Sequence, residues 1–451
     1  MKRLRSRISL AAIGIPLLLT VLAACGAGTA NNNNGSSSQT YTIKIATDFP
    51  ASGKDESSGK PAQNGAQIAV NDANAKHLVP GVNFVLAPKD DVGTSGAHDP
   101  ATGQKNVQDL IGDAQVAGIV GPFNSSVAQS EMPIANQAPI ALISPANTND
   151  CITQITPATT CGNADQAQAK LKTYRPTGKV TYFRIATRDF YQGGALADYG
   201  YQTKGYHKAY VVDDAETYGV GIADSFAAEW QKDGGTILGR QSEPSTTTSY
   251  IGVLTQIATT NPDVIFFGGN DSTGGTPLRQ QMLQVPALKN TPMMGGDGLK
   301  TSALARTIGH TGGPVYSSVA TVDATGGSQG STSAAKTFLD EYAKVYGSSN
   351  ISAYSASAYD CAMIVMQAVK QAMASGAKPA ANPSDSTTAT QFRQAVINSI
   401  QHISYDGLTG HQAFDQNGDT TSKVITIYTI AQDVNVGDGW QIEQEVSENG
   451  K

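Results

Sequence analysis

Along residues 42–143, short apolar runs alternate with stretches whose apolar positions recur three or four apart. Thr42–Ala46 predicts a strand, Asn64–Asn74 a helix carrying Ala66, Ile68, Ala69 and Val70, and Phe84–Leu86 a second strand. Ala101–Ile111 reads as a helix with Val107, Leu110 and Ile111 on one face. Val116–Val120 predicts a third strand ending at Gly121, Ser125–Asn136 a helix, and Ile140–Ile143 another strand. The alternation then restarts with a strand at Val180–Arg184, a helix at Gln192–Lys204, a strand at Ala209–Val212, and a helix at Gly219–Lys232 with Phe226 and Trp230 inward. Val264–Phe267 and Pro292–Gly295 are further strands. Helices follow at Ser333–Tyr346, Ser355–Ala374 and Thr390–Ser399, and Val424–Ile430 is the last strand. Strands alternating with helices of about 10–15 residues indicate parallel sheets built from βαβ units. Two α/β lobes of comparable size fit the 451 residues.

The N-terminus breaks this pattern. Lys2, Arg3, Arg5 and Arg7 precede an almost wholly apolar or small run from Ile8 to Ala24, the layout of a secretory signal peptide. The run ends Leu22-Ala23-Ala24-Cys25-Gly26, which resembles the lipobox of bacterial lipoproteins. That resemblance implies acylation of Cys25 and cleavage before it; a single uncleaved membrane anchor fits the same residues. The Asn- and Ser-rich stretch from Gly26 to Thr40 cannot bury apolar surface and reads as a flexible tether. Residues 1–24 are thus expected as signal peptide and 25–40 as tether, holding a globule outside the cell.

Composition narrows the class. Charged residues make up 15% of the chain, against roughly 25% in an average soluble protein. The formal net charge of −6 leaves no basic surface for nucleic acid. A single long apolar run excludes a multispan membrane protein. Cys151 and Cys161 lie ten apart in a Pro/Thr/Asn-rich loop, where a disulfide suits an oxidising compartment, with two free thiols the other reading. Cys361, inside an apolar helical segment, reads as a buried unpaired core residue.

The order of several short motifs is more specific than any one of them. Asp90-Asp91 follows the second strand, and Gly121-Pro122-Phe123-Asn124-Ser125-Ser126 the third. Then come Ile143-Ser144-Pro145-Ala146-Asn147-Thr148, Tyr182-Phe183-Arg184, Tyr218-Gly219, Phe267-Gly268-Gly269 and Gly295-Gly296-Asp297-Gly298. The tail adds Tyr405-Asp406-Gly407-Leu408-Thr409-Gly410 and Phe414-Asp415-Gln416-Asn417-Gly418-Asp419. From about Tyr41 to Glu445 the chain resembles the solute-binding proteins of branched-chain amino acid ATP-binding-cassette transporters, the Leu/Ile/Val-binding family. The resemblance implies two doubly wound parallel-sheet lobes joined by three hinge crossovers, near Arg184, Ala320 and Ile425, with ligand in the cleft. Lobe 1 is then 41–185 with 320–424, and lobe 2 is 186–319 with 425–451. It also implies a monomer that meets a small-molecule ligand, a membrane permease and its ATPase, with no cofactor.

Such a ligand presents a carboxylate and an ammonium. Ser125 and Ser126 open a helix after a strand, where unpaired N–H groups and a hydroxyl can hold a carboxylate; Ser125 also fits a plain helix cap. By resemblance, the Ala146 carbonyl accepts from the ammonium, the Thr148 hydroxyl meets the charged end, Asp297 pairs with the ammonium from the second lobe, and Tyr218 covers the ligand. Asn270 stands where an aromatic wall would suit an aliphatic side chain, which leaves polar solutes, amides and short acids open. A ligand sensor is the alternative, and a secreted hydrolase a weaker one.

Enzyme signatures fail on inspection. Gly326–Gly330 fits a nucleophile-elbow pattern around Ser328 but lacks a strand before it. Gly53–Lys60 has one residue too many for a phosphate loop and Pro61 in place of Ser or Thr. The six histidines show no metal-ligand spacing, and Asp415–Asp419 is too compressed for a calcium loop and reads as a turn.

Overall fold

The computed structural model describes residues 40–154, 161–325 and 332–447. The expectations for the signal peptide, Cys25, the tether and Ser328 lie outside the described residues. Within them, no helix is long and apolar enough to cross a membrane.

The first sheet is laid down in order by β1 (Tyr41–Phe49), α1 (Glu56–Ala75), β2 (Val82–Asp90), α2 (Pro100–Ile111), β3 (Val116–Val120), α3 (Ser125–Gln137), β4 (Ala141–Ser144), α4 (Ala164–Tyr174) and β5 (Tyr182–Arg184). Its five strands run β2-β1-β3-β4-β5, and every pairing is parallel. β3 and β4 are buried at every position, which is why they read as continuous apolar runs instead of alternating ones.

After Arg184 the chain builds a second sheet through α5 (Asp189–Asp198), β6 (Lys208–Asp213), α6 (Thr217–Lys232), β7 (Thr236–Ser242), α7 (Ile251–Thr260), β8 (Val264–Gly268), α8 (Gly275–Met282), β9 (Met293–Gly295), α9 (Ser302–Ile308) and β10 (Val315–Val319). It then returns to cover the first sheet with α10 (Ser333–Tyr346), α11 (Ala353–Ala374) and α12 (Ser386–Gln401), followed by a small hairpin of β11 (Tyr405–Gly407) and β12 (Gly410–Gln412). Phe338, Tyr342, Ile364 and Val365 share one core with Ile43, Ile45 and Ile143. A last crossing delivers β13 (Val424–Ile430) and β14 (Trp440–Ser447) to the second sheet. That sheet runs β14-β13-β10-β9-β8-β6-β7, parallel from β7 to β10 and antiparallel across β10–β13 and β13–β14. The second lobe is therefore a mixed sheet, where the strand–helix alternation alone predicts a parallel one.

Two local features set the geometry. α1 and α11 approach so closely that a Cβ at Gly65 would sit 1.9 Å from the Ser355 carbonyl oxygen, so only glycine fits. The predicted helix ending at Lys204 instead stops at Asp198 and loosens into a π-turn, Tyr199–Thr203, where Gly200 lies against the Trp230 ring. Cys151 and Cys161 are joined in a disulfide, and Cys361 is buried and free.

The chain's passage between the sheets is pinned by Arg184. Its fully buried guanidinium donates to Asp419 Oδ1 at 2.7 Å, to the Asn149 carbonyl at 2.8 Å and to Thr153 Oγ1 at 2.6 Å. Although burial pushes the Asp419 acid up, Arg184 beside it holds the carboxyl below its usual range. The segment 415–419 is a turn, as read, and it also supplies the acid that ties the first and last crossings together.

Candidate functional site

In a parallel sheet the loops at the C-terminal strand ends form the natural crevice. Here such loops from both sheets face one another. The loop after β3 begins at Gly121, where a φ of +136° and a Cβ that would sit 2.4 Å from the Asp48 carbonyl oxygen exclude any side chain. That turn aims Phe123, Asn124 and the first residue of α3, Ser125, at the crevice. The loop after β4 is stapled to it. Ser144 Oγ donates to the Pro122 carbonyl at 2.7 Å and accepts from Asn147 N–H at 2.9 Å. Asn147 Nδ2 donates to the Phe123 carbonyl at 2.6 Å, and Tyr182 OH donates to Asn147 Oδ1 at 2.7 Å. Ala146 is held between these fixed points.

The opposing wall comes from the second sheet. Asp214, after β6, accepts from Glu216 N–H at 2.9 Å and from Thr273 Oγ1 at 2.5 Å. Burial pushes its acid up to about 6. It thereby fixes both the start of α6, which carries Tyr218, and the turn after β8, which carries Asn270. Asp297 opens a 3₁₀ turn after β9. Its Oδ1 accepts from Tyr218 OH at 2.8 Å and its Oδ2 from Tyr354 OH at 2.7 Å. Tyr218 OH also accepts from Gly298 N–H at 3.2 Å. Burial raises the Asp297 pKa, and the two tyrosine hydroxyls work against that rise. Tyr354 belongs to α11, which packs on the first sheet, so its bond to Asp297 spans the crevice. A second spanning bond runs from Asn149 Nδ2 to the Thr217 carbonyl at 2.8 Å.

Ser125, Ala146, Tyr218 and Asp297 line a single tight cavity of about 10 Å³, room for about one water, with Phe123, Asn124 and Asn270 completing it. Ser126 does not line it. Successive helical residues are rotated by about 100°, so only one of the two serines can face inward. Thr148 lies deeper, 1% exposed, and is not on the cavity wall. Its carbonyl accepts from Asp189 N–H at 2.8 Å, while its hydroxyl faces the Asp189 side chain. Asp189 and Gln192 are likewise buried. Burial, followed by the nearby charge of Asp150, holds the Asp189 acid well above its ordinary range. The Thr148 hydroxyl beside Asp189 and the Gln192 amide beside Asp297 work against the rise that burial imposes on each acid. Arg188 and Arg184 do not satisfy Asp189, because they are engaged by Asp150 and Asp419.

The expectations from sequence had no place for Asp189, Gln192 or Tyr354. Asp189 and Gln192 follow the first crossover by a few residues, a position with no local signature. Tyr354 reaches the site only because the chain returns to the first lobe some 230 residues after Ser125, a juxtaposition that tertiary structure alone creates. Phe123 stacks edge-on against Phe49 and Tyr354, with centroids 6.4 and 5.4 Å apart, and forms the cavity's aromatic side.

The family model described as periplasmic binding protein matches residues 42–435. Among curated relatives, the Leu/Ile/Val-binding protein BraC3 of Rhizobium johnstonii is 26% identical over 260 residues, covering 58% of this chain and 62% of the relative. An amino acid binding protein of Pseudomonas aeruginosa is 27% identical over 274 residues, covering 61% and 64%. The match thus spans less than two thirds of these relatives' length. The structure of the leucine binding protein LivK from Thermotoga maritima matches with a TM-score of 0.71 at 20% identity, covering 90% of this chain and 99% of that one. LivJ from Streptococcus pneumoniae, in complex with isoleucine, gives 0.68 at 22% identity with the same coverage. A solute binding protein of R. palustris in complex with 4-hydroxybenzoate gives 0.69 at 16% identity, covering 90% and 96%. At these identities the likeness establishes the fold.

Proposed function

We propose that this chain, which belongs to the periplasmic binding protein family, captures an amino acid or similar small zwitterion outside the cytoplasm and hands it to an ATP-binding-cassette permease. The observation that carries this reading is the pairing of opposites in one cavity. A helix N-terminus at Ser125 faces a carboxylate, Asp297, that is itself held by two tyrosine hydroxyls. Backbone N–H groups and the helix dipole suit an anion; a desolvated carboxylate suits an ammonium.

The residues divide the work. Ser125, with the start of α3, receives the solute's carboxylate. The Ala146 carbonyl and Asp297 receive its ammonium, and Tyr218 covers it. Thr148 and Asp189 stand behind the wall on the ammonium side, where the Thr148 hydroxyl faces Asp189 and neither lines the cavity. Ser126 shapes the helix start and stays off the cavity.

Lobe 1 comprises 41–185 with 320–424 and lobe 2 comprises 186–319 with 425–451. They rotate about three crossings, the first and last tied by Arg184 and Asp419 and the first and second by the Thr187 N–H bond to the Ala320 carbonyl, a hinge motion of the kind such two-lobed folds use. The Tyr354–Asp297 and Asn149–Thr217 bonds form on closure and latch the two lobes. Cys25 carries a lipid that tethers the monomer to the membrane's outer face. No bond is made or broken, so the protein is a receptor and not an enzyme, and the permease's ATPase supplies the energy.

Titration calorimetry of the full chain against the amino acids, with 2-hydroxy acids and amides as controls, tests this. Saturable binding of at least one amino acid, with a rise in melting temperature that follows mass action, is the expected result. Binding confined to solutes without an amine would overturn it.

A further inference from the structure

The two sheets bring charge to the crevice at a second place, apart from the solute cavity. On the first sheet's side, the turn before α1 and the loop after β2 are joined by Asp55 and His98. Asp55 Oδ2 accepts from the His98 backbone N–H at 2.8 Å and stands 3.1 Å from the ring Nδ1. The two side chains are 6% and 5% exposed. Facing them, from the second sheet's side, are Asp214 and Glu216 at the start of α6 and Ser272 in the turn after β8.

Burial works against the imidazolium, yet Asp55, Glu216 and Asp214 together raise the His98 pKa above its ordinary value. Burial likewise pushes the Asp55 acid up, and His98, helped by the Ser272 hydroxyl, brings it below its usual range. The other charges near the ring travel with it. Asp99, its neighbour in the loop, is spent on the Thr102 N–H and hydroxyl, each at 2.7 Å. Burial holds the Asp91 acid well above its ordinary range, so it brings little charge. Lys54, on the turn of Asp55, is exposed. When the lobes part, the imidazolium therefore keeps Asp55, Asp91, Asp99 and Lys54 and loses Asp214 and Glu216.

We propose that His98, faced by Asp214 and Glu216 across the crevice, is a pH-sensitive clasp that favours the closed lobes while its ring is protonated. The proposal rests on the lobe division and closure described above and adds what controls them. The clasp shares parts with the solute site. Asp214 also fixes the start of α6 and the turn that carries Asn270. Thr217, next to Glu216, reaches Gln129 of α3 from its hydroxyl at 3.4 Å. Engaging the clasp thus brings Tyr218 to the cavity in the same movement. A group that holds its proton more firmly in the closed form stabilises that form at low pH, and the gain is lost as pH rises through its closed-form value. Asp214 sets the acid limit: burial pushes it up to about 6, so its countercharge is complete only above that.

Small-angle X-ray scattering of the full chain without added solute tests this, at about pH 6.5 and about pH 8.5. The native protein should be more compact at the lower pH, with the closed-to-open ratio falling about fivefold or more between the two. His98→Gln should have the same dimensions at both. Glu216→Gln, at a half-buried position that leaves the His98–Asp55 pair in place, should weaken the response without abolishing it. Native dimensions that do not change with pH, or a full response in Glu216→Gln, would overturn the proposal, whether or not His98→Gln folds. A response that disappears in His98→Gln, in a protein that calorimetry shows to bind no amino acid, would support the clasp and overturn the amino-acid reading instead.

Discussion

Asp297→Asn removes one charge and almost no volume. In the native protein the carboxylate receives two hydroxyls, at 2.8 Å from Tyr218 and 2.7 Å from Tyr354. Those bonds are to a group whose charged form is disfavoured by burial, so on the proposed reading the solute's ammonium would favour its ionisation. Asparagine keeps one acceptor oxygen and offers an NH₂ in place of the other, so the ammonium faces a dipole instead of a charge. Removing one partner from a desolvated ion pair costs about 3–5 kcal/mol. At about 1.4 kcal/mol per tenfold, that predicts an affinity loss of roughly two to three and a half orders of magnitude. The assay is a two-by-two cycle by calorimetry: native protein and variant, each with the best amino acid and its 2-hydroxy analogue. The cycle isolates the interaction between Asp297 and the amine from any general damage to the site. The amino acid should lose at least fiftyfold more than the hydroxy acid. Equal losses for both ligands would refute the assignment of Asp297 to the ammonium.

Asp419→Asn should destabilise the fold by about 3 kcal/mol in chemical denaturation, because the Arg184 guanidinium, 0% exposed, would be left with neutral acceptors and no countercharge at Asp419; a change under about 1 kcal/mol would contradict its role at the crossings. Tyr354→Phe removes the only hydroxyl that α11 sends to Asp297 and should weaken ligand binding about tenfold, the worth of one hydrogen bond to a charged acceptor; unchanged affinity would mean that the latch contributes nothing to closure. The ligand-free protein should lose stability as pH rises from 5 to 8. Asp48 is pushed up by burial to about 7, and burial likewise raises Glu131 and Asp91. The folded chain therefore keeps protons that the unfolded chain has already released above about pH 4, and that stability is lost as pH rises through the folded values. Glu131→Gln should flatten the slope, and denaturation midpoints that climb across this window would contradict the sign.

The strands buried on both faces were legible because their apolar runs are uninterrupted, as at Val116–Val120 and Val264–Gly268. β10 was not, since Val-Tyr-Ser-Ser-Val carries two serines; both are fully buried, and Ser317 Oγ donates to the Gly296 carbonyl at 2.8 Å. β7 and β14 lie at sheet edges with mostly exposed side chains, so burial left no periodic mark on them. Ser125 could be proposed from local context, because it follows a strand and opens a helix, whereas Ala146, Tyr218 and Asp297 came with the family resemblance. Asp189, Gln192 and Tyr354 could not, because nothing within a few residues of them signals the site. Their significance arises from what stands opposite, as the Asp297 carboxylate on the other lobe does for Tyr354. Ser126 shows the reverse case, where adjacency in sequence suggested a pair and helical rotation separates it.

A crystal structure of the full chain with its tightest-binding amino acid tests the central claim most directly. The account predicts electron density for the solute between the two sheets, its carboxylate on the N-terminal turn of α3 at Ser125 and its ammonium within about 3 Å of the Ala146 carbonyl and Asp297. Density for the solute elsewhere, or in this cavity with its carboxylate against Asp297, would contradict it.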